Sequence, residues 1–545
     1  MKKSIPIILI LILASLLRLV VLDKYPAGLN ADEAAIGYNA WSLLETGKDE
    51  HSAAWPLVFR SFDDYKPPVY FYIVLPFVKL IGLNIWSVRL PSALLGIASI
   101  LLVFLIGKQL FSKHKYLPEL TALLLAVSPW HLQFSRGGWE VNVALFFTLL
   151  GIYGFLKGLE KPKYFFMFVI SLIVSIYAYH SARIISPLIA LSLIIIYRKT
   201  LFTSFTGAKL KIIVTATMLG LLLALPLATQ MLSKEGQSRF TGVSVFSDSG
   251  PLWQALEMRR EHPNGFYVKI IHNQYLSYGL RFVKNYLSHF SPRFLFTIGD
   301  EIARSKVPGM GQTFKLLAPF FFLGLLSLLK LDSKGKKFVL FWFIISPLAA
   351  AFTFQSPHAL RSQNMVIPLT FISAFGLLMF IEIVKSAKNK YLTIIISILM
   401  WILGIYSVGQ YLHQYYLHYP KELSYAWQYG FDQIADYTKE NYDKYDKIIV
   451  SDRYDQPYIL MAFFLKYPPQ TLQKEMVMTP RDKFGFSTCR QFGKFEFRAI
   501  DYDKDKLLPN TLIIAADESV DDKAIIHTIK DMGGKILFKF ISTSK

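Results

Sequence analysis

Long apolar runs alternate over the first 412 residues with short polar segments. The runs fall at about 5–22, 90–107, 118–134, 141–156, 164–180, 184–197, 212–231, 314–329, 338–354, 364–384 and 391–412. Each approaches the roughly 20 residues a helix needs to cross the hydrocarbon core, and such runs satisfy their backbone in lipid only as helices. The pattern predicts a polytopic α-helical membrane protein with about 11 transmembrane helices. Segment 66–82 is shorter, opens on Pro67-Pro68 and contains Pro76, which predicts a re-entrant or interfacial helix. Beyond residue 418 the pattern changes to short strands, at 447–450, 495–500, 511–515 and 536–541, with helices at 432–441 and 521–532. Two domains follow: a transmembrane domain over 1–417 and an α/β domain over 418–545.

Composition supports this class. The 545 residues are 53% hydrophobic and only 18% charged, too apolar for an ordinary soluble protein. Cys489 is the single cysteine, so the chain has no internal disulfide and no cysteine-based metal site. The formal charge of +21 would suggest nucleic acid as a partner, but residues 418–545 hold 19 basic and 19 acidic side chains. The excess therefore lies in the membrane part, and no nucleic-acid partner is implied.

Charge placement sets the sidedness. With 66–82 kept on the outer side, the segments 1–4, 108–116, 157–163, 198–211, 330–337 and 385–390 face inward, carrying 19 bases against two acids. The first run, behind Lys2 and Lys3, resembles a signal peptide without a small-residue cleavage site, and is read as a retained helix with its N-terminus inside. The C-terminal domain is then extracytoplasmic. The same threading places loops 23–89 and 231–313, the turns 135–140, 180–183 and 355–363, and the tail on the outer face of the plasma (inner) membrane.

Those outer segments hold the unusual polar residues: Asp32, Glu33, Asp63, Asp64, Lys66, Arg136, Glu140, His180, Arg183, His358 and Arg361. Both charge signs converging at helix ends mark a site. Asp32-Glu33 is either a helix cap, with Asp32 accepting backbone N–H bonds, or an acid pair for chemistry. Lys66, fixed by the prolines behind it, suits a lipid phosphate at headgroup depth. Arg136 pairs in sequence with Glu140. Two outer His-x-x-Arg turns, His180 to Arg183 and His358 to Arg361, suit an anionic headgroup. His180 and His358 lack a defined third ligand for a metal, and a divalent cation is left open. Loop 231–313, longer than a connector requires, reads as a lid or acceptor-binding element, or as a structural cap.

The order of motifs is Asp32-Glu33 after the first helix, Lys66-Pro-Pro, Arg89-Leu-Pro-Ser-Ala-Leu-Leu-Gly96, then Ser135-Arg136 with an acid. It resembles the GT-C membrane glycosyltransferases, more narrowly family 39, the protein O-mannosyltransferase branch that also holds the lipid A aminoarabinose transferase. The resemblance covers roughly residues 1–200. It implies inverting transfer of a sugar from a polyprenyl-phosphate donor to an acceptor on the outer face, with the acceptor being lipid, glycan or protein. By resemblance Asp32 is the catalytic carboxylate and Lys66 the residue near the donor phosphate, while Glu140 stands where the family often carries an aspartate.

The residues suit that chemistry. A placed carboxylate can take the proton of an attacking hydroxyl, and nearby acids stabilise an oxocarbenium-like state. Lys66, Arg136, His180, Arg183, His358 and Arg361 are candidates to bind the donor phosphate; Glu33 is expected to help position the acceptor. A Gly-rich phosphate loop is absent from the sequence. A transporter or flippase of polyprenyl-linked glycans would show charges near the bilayer midplane, whereas here they gather at one face. A non-catalytic scaffold is the third reading.

Overall fold

The computed structural model describes residues 5–62, 64–202, 207–232, 242, 244–261, 266–480 and 487–543. The chain divides into two compact units, one formed by residues 1–17, 95–134 and 141–412, the other by 18–94, 135–140 and 413–545.

The first unit is helical. Among the described residues of the whole chain, six helices are long and apolar enough to cross a membrane: Ile85–Leu110, Glu140–Glu160, Ala182–Leu201, Gly207–Leu232, Gln363–Ser386 and Lys390–Glu422. Four shorter apolar helices accompany them, Ile5–Leu19, Val69–Ile81, Leu117–Val127 and Tyr164–Ala178. Proline accounts for part of the shortening. The run expected at 118–134 breaks at Ser128, whose extended backbone precedes Pro129, into Leu117–Val127 and Pro129–Ser135. The run at 338–354 breaks at Ser346-Pro347 into Lys334–Ile345 and Leu348–Ala351; Ser346 keeps helical dihedrals there, and Pro347 has no N–H to continue the ladder. The Ala318–Lys330 and Val366–Ser386 helices pack backbone to backbone at Gly324 and Gly376. A Cβ on Gly324 would collide with the carbonyl of Ile372, and one on Gly376 with that of Phe320.

The second unit combines the helix Ala31–Thr46, a small hairpin and the C-terminal sheet. The hairpin joins β1 (Phe59–Ser61) to β2 (Asp64–Lys66), with Phe59 opposite Lys66. Val69–Ile81 has 13 residues, about 20 Å of helix and too short to span. The sheet contains β3 (Lys447–Ser451), β4 (Val477–Met478), β5 (Cys489–Phe492), β6 (Phe495–Arg498), β7 (Thr511–Ala515), β8 (Ile525–Lys530) and β9 (Ile536–Ser542). Their order is β4-β5-β6-β3-β7-β9-β8. The central β6, β3 and β7 are parallel and the flanking pairs antiparallel. Every residue of β7 is buried, as expected of a strand covered on both faces.

One expected element is different. Residues 521–532, expected to be helical, form a short 3-10 turn and then β8, the first arm of a hairpin. Four of the six residues of β8 are β-branched, which favours a strand. The turn is built for a hairpin: Asp531 Oδ1 accepts from the amides of Gly533 and Lys535, both at 2.8 Å, and Gly534 adopts φ +90°.

Candidate active site

The acids sit at the start of the Ala31–Thr46 helix, and Asn30, not Asp32, caps it. Asn30 Oδ1 accepts from the Glu33 amide at 3.1 Å, and Glu33 Oε2 accepts from the Asn30 amide at 3.3 Å. This capping box leaves Asp32 in the first turn with its side chain available for other contacts.

Glu33 is fully buried and bidentate with Arg89, Nε to Oε1 at 2.9 Å and Nη2 to Oε2 at 3.0 Å. It also accepts from the Gly138 amide at 2.7 Å and from Asn30 Nδ2 at 3.1 Å. Gly138 permits that approach, since a Cβ there would lie 2.9 Å from Val88 Cγ1 and 3.2 Å from Glu33 Cγ. A carboxylate so saturated and enclosed organises its loop. The acceptor-positioning role expected of Glu33 does not match this place.

Arg136 is likewise enclosed. Its Nη2 donates to the carbonyls of Val20, Val21 and Tyr25 at 3.0, 3.3 and 3.1 Å, and its Nε donates to Tyr415 Oη at 3.1 Å. The guanidinium lies over the Tyr415 and Tyr416 rings. Arg89 holds the remainder of the same loop, donating to the carbonyls of Leu22, Pro26 and Gly28. Two buried guanidiniums thus bind six carbonyls between residues 20 and 28. Arg136 was expected to meet a phosphate; these contacts instead fix the segment that delivers Asp32.

Asp32 differs from its neighbour. Its side chain is 35% exposed, and Oδ1 lies 2.5 Å from Lys66 Nζ, whose side chain is 7% exposed. Lys66 projects from β2 over the Phe62 ring, 4.7 Å from its centroid. Phe59, opposite Lys66, stacks on Phe71 at 4.0 Å and ties the hairpin to Val69–Ile81. Asp63 lies outside the described residues. Asp64 pairs its backbone with Ser61 in the hairpin. Glu140 opens the Glu140–Glu160 helix and is half-buried.

C-terminal residues hold the acid helix, and the sequence carried no local signal of this. Gln428 Oε1 accepts from the Ala31 amide at 2.6 Å, while its Nε2 donates to the Asp455 carbonyl. Tyr38 Oη donates to the Tyr467 carbonyl at 2.6 Å.

Glu50, also missed, is fully buried past the end of the helix. Its Oε1 accepts from Asn39 Nδ2 at 3.0 Å and its Oε2 from Tyr458 Oη at 3.3 Å. Burial pushes its carboxyl from 4.5 up to about 7, and the hydrogen bond from Asn39 opposes this.

The first unit holds the two His-x-x-Arg turns. His180 lies between Tyr164–Ala178 and Ala182–Phe202, and Arg183 lies in the first turn of the latter; both are half-buried. The turn 358–361 is held by residues from loop 231–313. His289 Nε2 accepts from the His358 amide at 3.1 Å, Asp300 Oδ2 accepts from the Ala359 amide, and Trp130 Nε1 donates to the Ala359 carbonyl. His289 Nδ1 meets the Asn285 carbonyl at 2.9 Å, which assigns the neutral tautomer with the proton on Nδ1. Burial keeps its pKa down at about 4. Burial also raises the Asp300 carboxyl, against the pull of the amides that bind it. This part of loop 231–313 supports a turn. Among the described residues, no three His, Cys, Asp or Glu side chains are arranged to hold a metal ion.

Residues 65–227 match the family described as dolichyl-phosphate-mannose-protein mannosyltransferase. Two proteins of Bacillus subtilis (strain 168), named as presumptive mannosyltransferases, are related over short stretches. YkcB is 28% identical over 140 residues, 23% of this chain, and YycA 31% identical over 98, 18% of this chain. These stretches span only 19% and 14% of the relatives' own lengths. ArnT from Cupriavidus metallidurans shares the fold along nearly the whole chain. In its apo state the TM-score is 0.53 at 12% identity, covering 99% of this chain and 98% of that one. The form bound to undecaprenyl phosphate gives 0.50 at 12% identity, with 98% of each chain covered. Residues 65–227 thus resemble a mannosyltransferase family, the chain as a whole shares the fold of ArnT, and six of its described helices are long and apolar enough to cross a membrane.

Proposed function

We propose that this protein is an inverting glycosyltransferase that moves a sugar from a polyprenyl-phosphate donor to an acceptor at the outer face of the membrane. The proposal includes the finer threading, with about 11 spans, the N-terminus inside, residues 1–417 as catalytic domain and 418–545 as an extracytoplasmic domain. The observation that carries it is the Asp32–Lys66 pair: a partly exposed carboxylate at the start of a helix whose preceding loop two buried arginines hold in place, and a lysine 2.5 Å away on β2. The family match over 65–227 and the ArnT-like fold support it.

The pair suggests an order of events. The anionic phosphate of the donor competes with Asp32 for Lys66. As Lys66 turns to the phosphate, Asp32 loses its counter-ion and becomes the stronger base. The acceptor hydroxyl attacks the anomeric carbon from the side opposite the phosphate, Asp32 takes its proton, and the phosphate leaves with the bonding electrons while Lys66 neutralises it. One bond forms, one breaks, and the configuration inverts. Glu33, Arg89 and Arg136 serve as positioning residues, while His180, Arg183, His358 and Arg361 stay candidates for the phosphate or headgroup.

The test is transfer in liposomes from a panel of polyprenyl-phosphate sugars, with and without an added divalent cation. Asp32→Asn is expected to lower kcat by about 10²- to 10⁴-fold without lowering Tm. Lys66→Gln is expected chiefly to raise KM for the donor. Equal rates in wild type and Asp32→Asn would overturn the assignment of the base.

A further inference from the structure

The Lys390–His413 helix is apolar on every side, and Tyr411 is its one buried residue. Thr393, Ser397, Met400, Gly404, Ser407 and Leu412 recur every three to five positions along one face of it. That face borders an open cavity of about 590 Å³. Across the cavity stand the helices Leu117–Val127, Ala318–Lys330 and Val366–Ser386, presenting side chains such as Leu124, Phe320 and Phe380.

The wall is hydrocarbon even where the sequence is polar. The hydroxyls of Thr393, Ser397 and Ser407 donate to the carbonyls of Asn389, Thr393 and Leu403 at 3.0, 2.7 and 2.8 Å. They are thereby spent on backbone carbonyls, Thr393 also reaching that of Val384 at 3.5 Å. A Cβ on Gly404 or on Gly409 would meet nothing within 4 Å. Water gains no partners in such a space, so its natural filling is a hydrocarbon chain.

One end is charged. Lys385 lines the cavity, Lys388 lies in the connection that follows, Lys390 opens the Lys390–His413 helix, and all three are exposed. Glu382 is the acid nearest to them in sequence. Three cations beside one acid at the mouth of an apolar groove match a lipid phosphate.

We propose that this groove binds an anionic phospholipid of the bilayer, with its chain along the Lys390–His413 helix and its phosphate at Lys385, Lys388 and Lys390. The site rests on the reading of this chain as a membrane protein and is separate from the donor site. Every residue that lines the groove belongs to the first unit, whereas Asp32 and Lys66 belong to the second.

The experiment is native mass spectrometry of the full chain, delipidated in detergent and titrated with phosphatidylglycerol or with phosphatidylcholine of the same acyl chains. Wild type is expected to retain one phosphatidylglycerol, and phosphatidylcholine at least about tenfold less tightly. Changing Lys385, Lys388 and Lys390 together to Gln should bring phosphatidylglycerol down to the phosphatidylcholine level. Gly404→Phe, which fills open space and leaves the lysines in place, should weaken both lipids without lowering Tm. Equal retention of the two lipids by wild type would overturn the headgroup assignment. Unchanged retention in Gly404→Phe would overturn the groove, and displacement by undecaprenyl phosphate at equimolar concentration would overturn the choice of occupant. Asp32→Asn should retain phosphatidylglycerol as wild type does, which keeps failure here distinguishable from failure of the proposed chemistry.

Discussion

Glu33 and Glu50 flank the same helix, both fully buried, and face different surroundings. Glu33 sits in the first turn with a bidentate arginine and three further donors, the amides of Gly138 and Asn30 and the Asn30 side chain. Glu50 lies past the C-terminal cap with an amide and a phenol as hydrogen-bond donors. The first region fixes a charge by full compensation; the second raises the carboxyl to about 7. The helix that carries Asp32 is therefore pinned firmly at its N-terminal end and held at the other by a carboxyl that burial raises to about 7.

The largest expected effect comes from breaking the compensated end. Arg89→Met leaves Glu33 buried without its cation and releases the carbonyls of Leu22, Pro26 and Gly28. Stability should fall by roughly 3–5 kcal/mol, read as a drop in Tm and in monodisperse yield in detergent. Glu33→Gln on that background should recover part of the loss, since the orphaned charge is then removed. If Arg89→Met alone melts like wild type, the two ends do not differ as described.

The uncompensated end should show in the pH dependence. Below about 4.5, folded and unfolded chains both hold the Glu50 proton. Between about 4.5 and about 7 the unfolded chain ionises first, so this group lowers stability as pH rises, and above about 7 the full penalty persists. The shift corresponds to roughly 3 kcal/mol at most. Glu50→Gln should flatten that part of the stability profile and gain at pH 8 relative to wild type. His289 contributes with opposite sign: its lowered pKa means that stability rises with pH between about 4 and about 6.5. The difference profile of Glu50→Gln against wild type isolates the glutamate from it.

These two regions also separate what the sequence made legible from what it did not. Asp32 and Lys66 stood out because each is a charge beside an apolar run, and the structure brings them together. Arg136 stood out equally, but its partners are carbonyl oxygens of residues 20–25, and backbone acceptors leave no side-chain pattern to read. Asp49-Glu50-His51 looks like a solvated charge run; only Asn39 and Tyr458, the latter 408 residues away, make it a buried site. The sheet was legible from its β-branched runs. The exceptions were β4 and β5, which were not expected, and 521–532, expected as a helix, where β-branched residues and the Gly533-Gly534 turn decide for a hairpin.

The smallest effect is the most specific. Tyr458 belongs to the Pro457–Leu465 helix of the C-terminal region, and its hydroxyl donates to Glu50 at 3.3 Å, a long bond worth about 0.5–1 kcal/mol. Tyr458→Phe removes that donor while keeping the ring that meets Phe62 edge-on. The ionised form of Glu50 loses support and the neutral form loses little, so the carboxyl should rise further. The inflection in the stability profile should then move above about 7, with little change at pH 4.5, where the group is protonated in either case. An inflection that stays in place would mean that Asn39, Asp49 and Lys66 set the charge of Glu50 without Tyr458, and that the C-terminal region supports the acid helix through packing instead of through this carboxyl.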